Sequence, residues 1–132
     1  VSSAHYAPPV PEAKLPPINV CELNIIKTAR ENEGAFNYLV DTTDVSFFPT
    51  HYAEYEMLLR GDEILDGLLL RDEITIYSHD EFAQQVKILL IDGYRRQLNN
   101  TQHSMMGFEE KRKCINELND KINRLHNDVR SA

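Results

Sequence analysis

The residues best spaced to do chemistry are His51 and Glu54, three apart on an expected helix, where two side chains can share one metal ion. A metal site needs further ligands, and no nearby turn supplies them, so the pair reads as an ordinary histidine beside an acid. The acidic run Asp62, Glu63, Asp66, Gly67 has the composition of a calcium loop but lacks the alternate ligand positions and the closing Glu, and it reads as a solvated turn. Asn99-Asn100-Thr101 is formally a glycosylation sequon, a three-residue pattern that arises often by chance. His5, His79, His103 and His126 sit in polar surroundings without a Ser or Cys nucleophile pattern beside them. There is no G-x-S-x-G, no phosphate-cradling glycine loop and no H-E-x-x-H. Cys21 and Cys114 have no C-x-x-C spacing, so neither zinc nor a disulfide framework is expected and the thiols read as reduced. The expectation is a protein that is not an enzyme and that takes no cofactor and no metal.

The elements that would position a site are clearer than the site itself. The last of them, Phe108 to Arg130, carries Ile115, Leu118, Ile122, Leu125 and Val129 at spacings of 3, 4, 3 and 4, a heptad seam among Asn, Asp, Glu, Lys and Arg. One narrow apolar stripe must be laid on another helix, of this chain or of a partner. Before it, Ser78 with Glu81 forms a capping box that opens a core helix through Phe82, Val86, Leu89, Leu90, Gly93 and Tyr94 to about Leu98. The polar run Asn99 to Ser104 is expected to break that helix, with Met105, Met106 and Phe108 packing across the turn. An antiparallel pair of the two long helices is the natural frame.

Upstream, Asn19 and Glu22 have the spacing of a helix capping box, and Val20, Leu23, Ile26 and Ala29 or Arg30 give a short amphipathic helix ending near Gly34. Ala35 to Val40 either extends that helix or turns onto it. Asp41 to Pro49 is a loop whose Phe47 and Phe48 plug into the core; Thr50 would cap a helix stopped by Gly61. A short helix is expected between Gly61 and Gly67, and Ile74 to Tyr77 reads as extended linker, because a lone strand has nothing to pair with. The fold class is mainly α: residues 1–18 form an extended Pro-rich arm and 19–132 a single helical domain. The arm holds Pro8, Pro9, Pro11, Pro16 and Pro17, so it builds neither helix nor inner strand, and is either a free tail or a strip along a partner.

The formal charge of −7 argues against nucleic acid, whose phosphates are bound by Lys and Arg. The longest aliphatic runs are far shorter than a spanning helix requires. A start at Val1 in a small-residue, Pro-containing stretch fits a processed import precursor, among other origins.

Within 67–89, the residues Gly67, Leu68, Asp72, Glu73, Ile76, Tyr77, Asp80 and Glu81 stand in an order that resembles the small peripheral, matrix-side subunit of ubiquinol-cytochrome c reductase, respiratory complex III. The resemblance implies a non-catalytic protein on the matrix face of an inner-membrane complex, with no cofactor of its own. The expected function is therefore an accessory subunit of a mitochondrial, respiratory-chain complex. It would dock on other protein subunits through Pro8, Pro9, Pro11, Pro16 and Pro17 and through Ile115, Leu118, Ile122, Leu125 and Val129. The alternative is a free-standing adaptor, chaperone or regulator, cytoplasmic, that grips one protein partner.

Overall fold

The computed structural model describes residues 17–130. In order these form α1 (Val20–Glu31), α2 (Glu33–Thr42), a single 3-10 turn (Val45–Phe47), α3 (Tyr52–Arg60), α4 (Ile64–Leu68), α5 (His79–Gln102) and α6 (Phe108–Arg130). The mainly helical class expected from the periodicity is what the chain adopts, with no strand among the described residues. Pro8, Pro9, Pro11 and Pro16 lie outside the described residues, and Pro17 is exposed.

Helix α1 starts where Asn19 Oδ1 accepts the Glu22 backbone N–H at 3.1 Å. It ends three residues before Gly34, because Asn32 is extended (φ −140°, ψ 116°) and its Oδ1 accepts from Ala35 N–H at 3.0 Å. One residue thus terminates α1 and caps α2, and Gly34 falls in the first turn of α2. Thr50 does not cap α3. His51 occupies that position without a side-chain cap bond, and its backbone N–H is taken by Glu22 Oε1 of α1 at 2.9 Å. Gly61 closes α3 in the left-handed region, φ 67°, where a Cβ would be strained.

The core of this bundle gathers Ile25 and Ile26 of α1, Leu39 of α2, Tyr55 and Leu58 of α3, Leu65 of α4, and Phe82, Val86 and Leu90 of α5. Phe47 and Phe48 plug into it as expected: Phe48 stacks on Tyr55 with centroids 4.4 Å apart, and Phe47 packs perpendicular to Tyr94 with centroids 5.4 Å apart. After a turn closed by the Ile74 N–H on the Arg71 carbonyl, the segment 74–78 runs without a partner strand. Helix α1 supplies its hydrogen bonds instead: Asn24 Oδ1 accepts from Thr75 N–H at 2.8 Å, Thr28 Oγ1 accepts from Tyr77 N–H at 2.9 Å, and Lys27 Nζ donates to the Ile74 carbonyl at 3.1 Å. Residues 24 and 28 lie one above the other on a helix, and alternate N–H groups of an extended chain point the same way, so the two periods match.

Helix α5 serves two bodies. Its first half is a wall of the bundle, opened by the Ser78–Glu81 capping box, and its second half leaves the bundle as one arm of a hairpin with α6. It runs one turn beyond Leu98 because α6 supports it there, with Thr101 Oγ1 3.9 Å from Cys114 Sγ and Lys111 Nζ donating to the Gln102 carbonyl. Leu118 and Ile122 are buried, Leu125 packs against the core cluster, and Gln84 Nε2 donates to the Val129 carbonyl at 3.3 Å. The heptad stripe is therefore laid on α5 of its own chain.

Candidate functional site

The hairpin is a rod of two helices of 24 and 23 residues, each roughly 35 Å long. Its seam is apolar, while Glu109, Glu110, Arg112, Lys113, Glu117, Asp120, Lys121 and Arg124 are exposed on its outside. Several polar contacts stiffen it: Arg95 Nη2 lies 2.9 Å from His126 Nε2, and Lys121 Nζ sits 5.2 Å from the centroid of the Tyr94 ring. Where α6 returns to the bundle, burial pushes the Tyr38 phenol above its ordinary value, and the Asp128 carboxylate adds to the shift.

At the far end, residues 103–107 reverse the chain, and there the structure departs from sequence reasoning. Met105, Met106 and Phe108 do not pack across the turn. Met105 is fully exposed, Phe108 is 76 % exposed and Met106 is 36 % exposed. Apolar side chains held in water on a rigid support are available to another surface, and methionine adapts its shape to one.

The expected chemical residues are otherwise accounted for. His51 and Glu54 do come together, with Nδ1 3.4 Å from Oε2, but His51 Nε2 already accepts the Asn19 backbone N–H at 2.9 Å. Among the described residues no group of three or more His, Cys, Asp or Glu could hold a metal. The acidic run is structural. Asp66 is held by Arg30 through two hydrogen bonds of 2.9 and 3.2 Å, which lower its carboxyl below the ordinary value, and Asp62 Oδ1 accepts from Ile64 N–H. Asn99 of the sequon lies within α5, its carbonyl 2.8 Å from His103 Nδ1. His79 lines a cleft of about 550 Å³ between α1, α2 and α5, together with Tyr38, Tyr77, Phe82 and Lys87; no carboxylate is among its described lining residues. Of the expected docking residues, Leu118 and Ile122 are covered by α5, Ile115, Leu125 and Val129 are half-buried, and Pro17 is exposed.

Among the described residues the scaffold carries a long hairpin with an apolar tip, the kind of surface a protein partner covers. The chain belongs to the family described as the DnaG-primase C-terminal, helicase-binding domain, whose profile matches residues 19–128. Comparison with curated proteins and with solved structures gave no match.

That membership overturns the resemblance to the complex III subunit, and with it the respiratory accessory function, the electron-transport role and the mitochondrial placement. The physical reason is visible in the residues that carried the likeness. Asp80 and Glu81 are the acidic first turn of a capped helix, Ile76 is an exposed residue of the extended segment, and Gly67 and Leu68 close α4. Acids ahead of an apolar helix complement any helix N-terminus, so the order says little about kinship. The broader expectation stands: the partner is another protein, and among the described residues no helix is long and apolar enough to cross a membrane.

Proposed function

We propose that this chain is a non-catalytic docking module through which a primase engages a replicative helicase, with the tip of the α5–α6 hairpin as a principal contact. Membership of the helicase-binding family supports the class of partner. The single observation that carries the placement is the exposure of Met105 and Phe108 at the end of a rod whose own seam is already filled. Burying each side chain against a partner contributes roughly 1.5–3 kcal/mol. A hot spot of this kind needs a rigid support, and the hairpin supplies one without rearrangement of the bundle.

Titration calorimetry of the chain with the replicative helicase of its own organism tests the reading. The double variant M105D/F108D is expected to keep the wild-type circular dichroism and melting temperature and to bind at least tenfold more weakly, since about 1.4 kcal/mol corresponds to tenfold. Unchanged affinity would remove the tip from the interface. Absence of binding by the wild-type chain would remove the helicase as partner.

A further inference from the structure

The family match begins at Asn19, and 18 residues of this chain precede it. At that junction four hydrogen bonds close on one another. Asn19 backbone N–H donates to His51 Nε2 at 2.9 Å, and His51 backbone N–H donates to Glu22 Oε1 at 2.9 Å. Asn19 Nδ2 donates to Glu22 Oε2 at 3.0 Å, and Glu22 N–H donates back to Asn19 Oδ1 at 3.1 Å. The clasp ties the start of α1 to the start of α3, and two of its members are buried, Glu22 at 2 % and His51 at 6 % exposure. A ring nitrogen that accepts a hydrogen bond carries no proton, so Nε2 is bare and the ring proton resides on Nδ1, the atom that faces Glu54 Oε2 at 3.4 Å.

We propose that His51 is a proton-operated latch on the segment entering the domain. A proton taken from solvent onto Nε2 turns the acceptor into a donor, which then faces the Asn19 N–H, also a donor; that bond is lost, while the Nδ1 proton stays on the Glu54 side. The Asn19 N–H is released from α3 while the Asn19 side chain stays on Glu22, and the core, which uses none of these atoms, stays folded. The imidazolium would not be a bare buried charge. Glu54 of α3 and Glu22 of α1 face it. Across the crevice lined by Asn19, Glu22 and Pro49, α5 presents Asp92, and also Arg96, which donates to the Ser46 carbonyl. Two carboxylates, Glu54 and Glu22, thus stand beside His51, while Asp92 and Arg96 belong to the neighbouring crevice, which His51 does not line. The inference is independent of which protein the hairpin grips.

Nuclear magnetic resonance on the isotope-labelled chain tests it between pH 7.5 and 5.5. Four results are expected: a scalar coupling across the Asn19 N–H···Nε2 bond at the higher pH; its loss as the His51 ring carbon shifts report protonation; a fall of at least tenfold in the exchange protection factor of the Asn19 amide; and unchanged protection at Ile26 and Leu90. In His51→Gln, whose side-chain oxygen accepts but does not titrate, Asn19 protection should be the same at both pH values. The latch is overturned if His51 stays neutral down to pH 5.5, if Asn19 protection persists while the ring titrates, if Ile26 and Leu90 lose protection in step with Asn19, or if His51→Gln shows the wild-type pH response. The wild-type titration decides the matter even if the variant folds poorly.

Discussion

Gly93 of α5 and Phe47 of the 3-10 turn are in such close contact that a Cβ on residue 93 would clash with the Cδ1–Cε1 edge of the Phe47 ring. Phe47 in turn packs perpendicular to the Tyr94 ring, and Arg96, one turn further on, donates to the Ser46 carbonyl at 3.1 Å. The 3-10 turn is therefore the pad on which α5 rests where it leaves the bundle.

Gly93→Ala should accordingly destabilise the chain, although alanine is the better helix former by about 1 kcal/mol. Overpacking a buried contact that cannot yield costs typically 1–3 kcal/mol, and here it outweighs the propensity gain. Urea unfolding followed by circular dichroism measures the difference. A variant as stable as wild type or more so would show that Phe47 can move aside.

The Asn24–Thr28 clamp on the extended segment gives a second expectation. Thr28→Val keeps the shape and removes the acceptor for the Tyr77 N–H; Asn24→Ala removes the one for Thr75. Each should cost about 1–3 kcal/mol, the range for a part-buried donor left without its partner. Hydrogen exchange should show the amides of Thr75 and Tyr77 losing protection before any amide of α5. Uniform loss across the chain would mean that the clamp is not a separable unit.

How much of this was legible from the residues depended on how far apart the partners lie. The Ser78–Glu81 box, the Asn19 cap, the Gly61 stop and the heptad seam are local patterns, and each appears where the sequence placed it. Asn32 passed unnoticed because its cap serves the helix after it while its extended backbone ends the helix before it. The bonds of Asn24 to Thr75 and of Asn19 to His51 span 51 and 32 residues, and no periodicity announces such pairs. The exposed tip was missed for a different reason. Apolar residues in a turn look alike in sequence whether they fold back or point outward, and only the folded chain shows Met105 and Phe108 exposed.

The capping box also sets a pH dependence. Hydrogen bonding to Ser78, first through its backbone N–H at 3.1 Å, holds the Glu81 carboxyl below its ordinary value of 4.5. A carboxyl lowered by folding contributes stability that is complete above its unfolded value and is lost as the pH falls through the folded one. The difference in unfolding free energy between wild type and Glu81→Gln should thus stay constant from about pH 7 to 5.5 and change below pH 4.5, where Glu81 takes up its proton. Ser78→Ala, which removes the reciprocal cap, should cost about 1 kcal/mol at neutral pH. A pH-independent difference for Glu81→Gln would show that the carboxylate is not the group being held.

The seam and the tip of the hairpin separate folding from docking. Leu118 and Ile122, 5 % and 7 % exposed against α5, differ from Met105 and Phe108 only in what covers them. Leu118→Asp with Ile122→Asp would place two carboxylates in an apolar contact, at a cost of several kcal/mol, more than a pair of helices can absorb. Circular dichroism should show α6 detached or melted at 25 °C, with any loss of partner binding following from that collapse. Met105→Asp with Phe108→Asp places the same charges in water and should leave the spectrum unchanged. If the seam variant kept its helicity and melting temperature while the tip variant lost its own, the packing of α6 on α5 would not be what builds the hairpin, and the tip would have to be reassigned from docking surface to structural element.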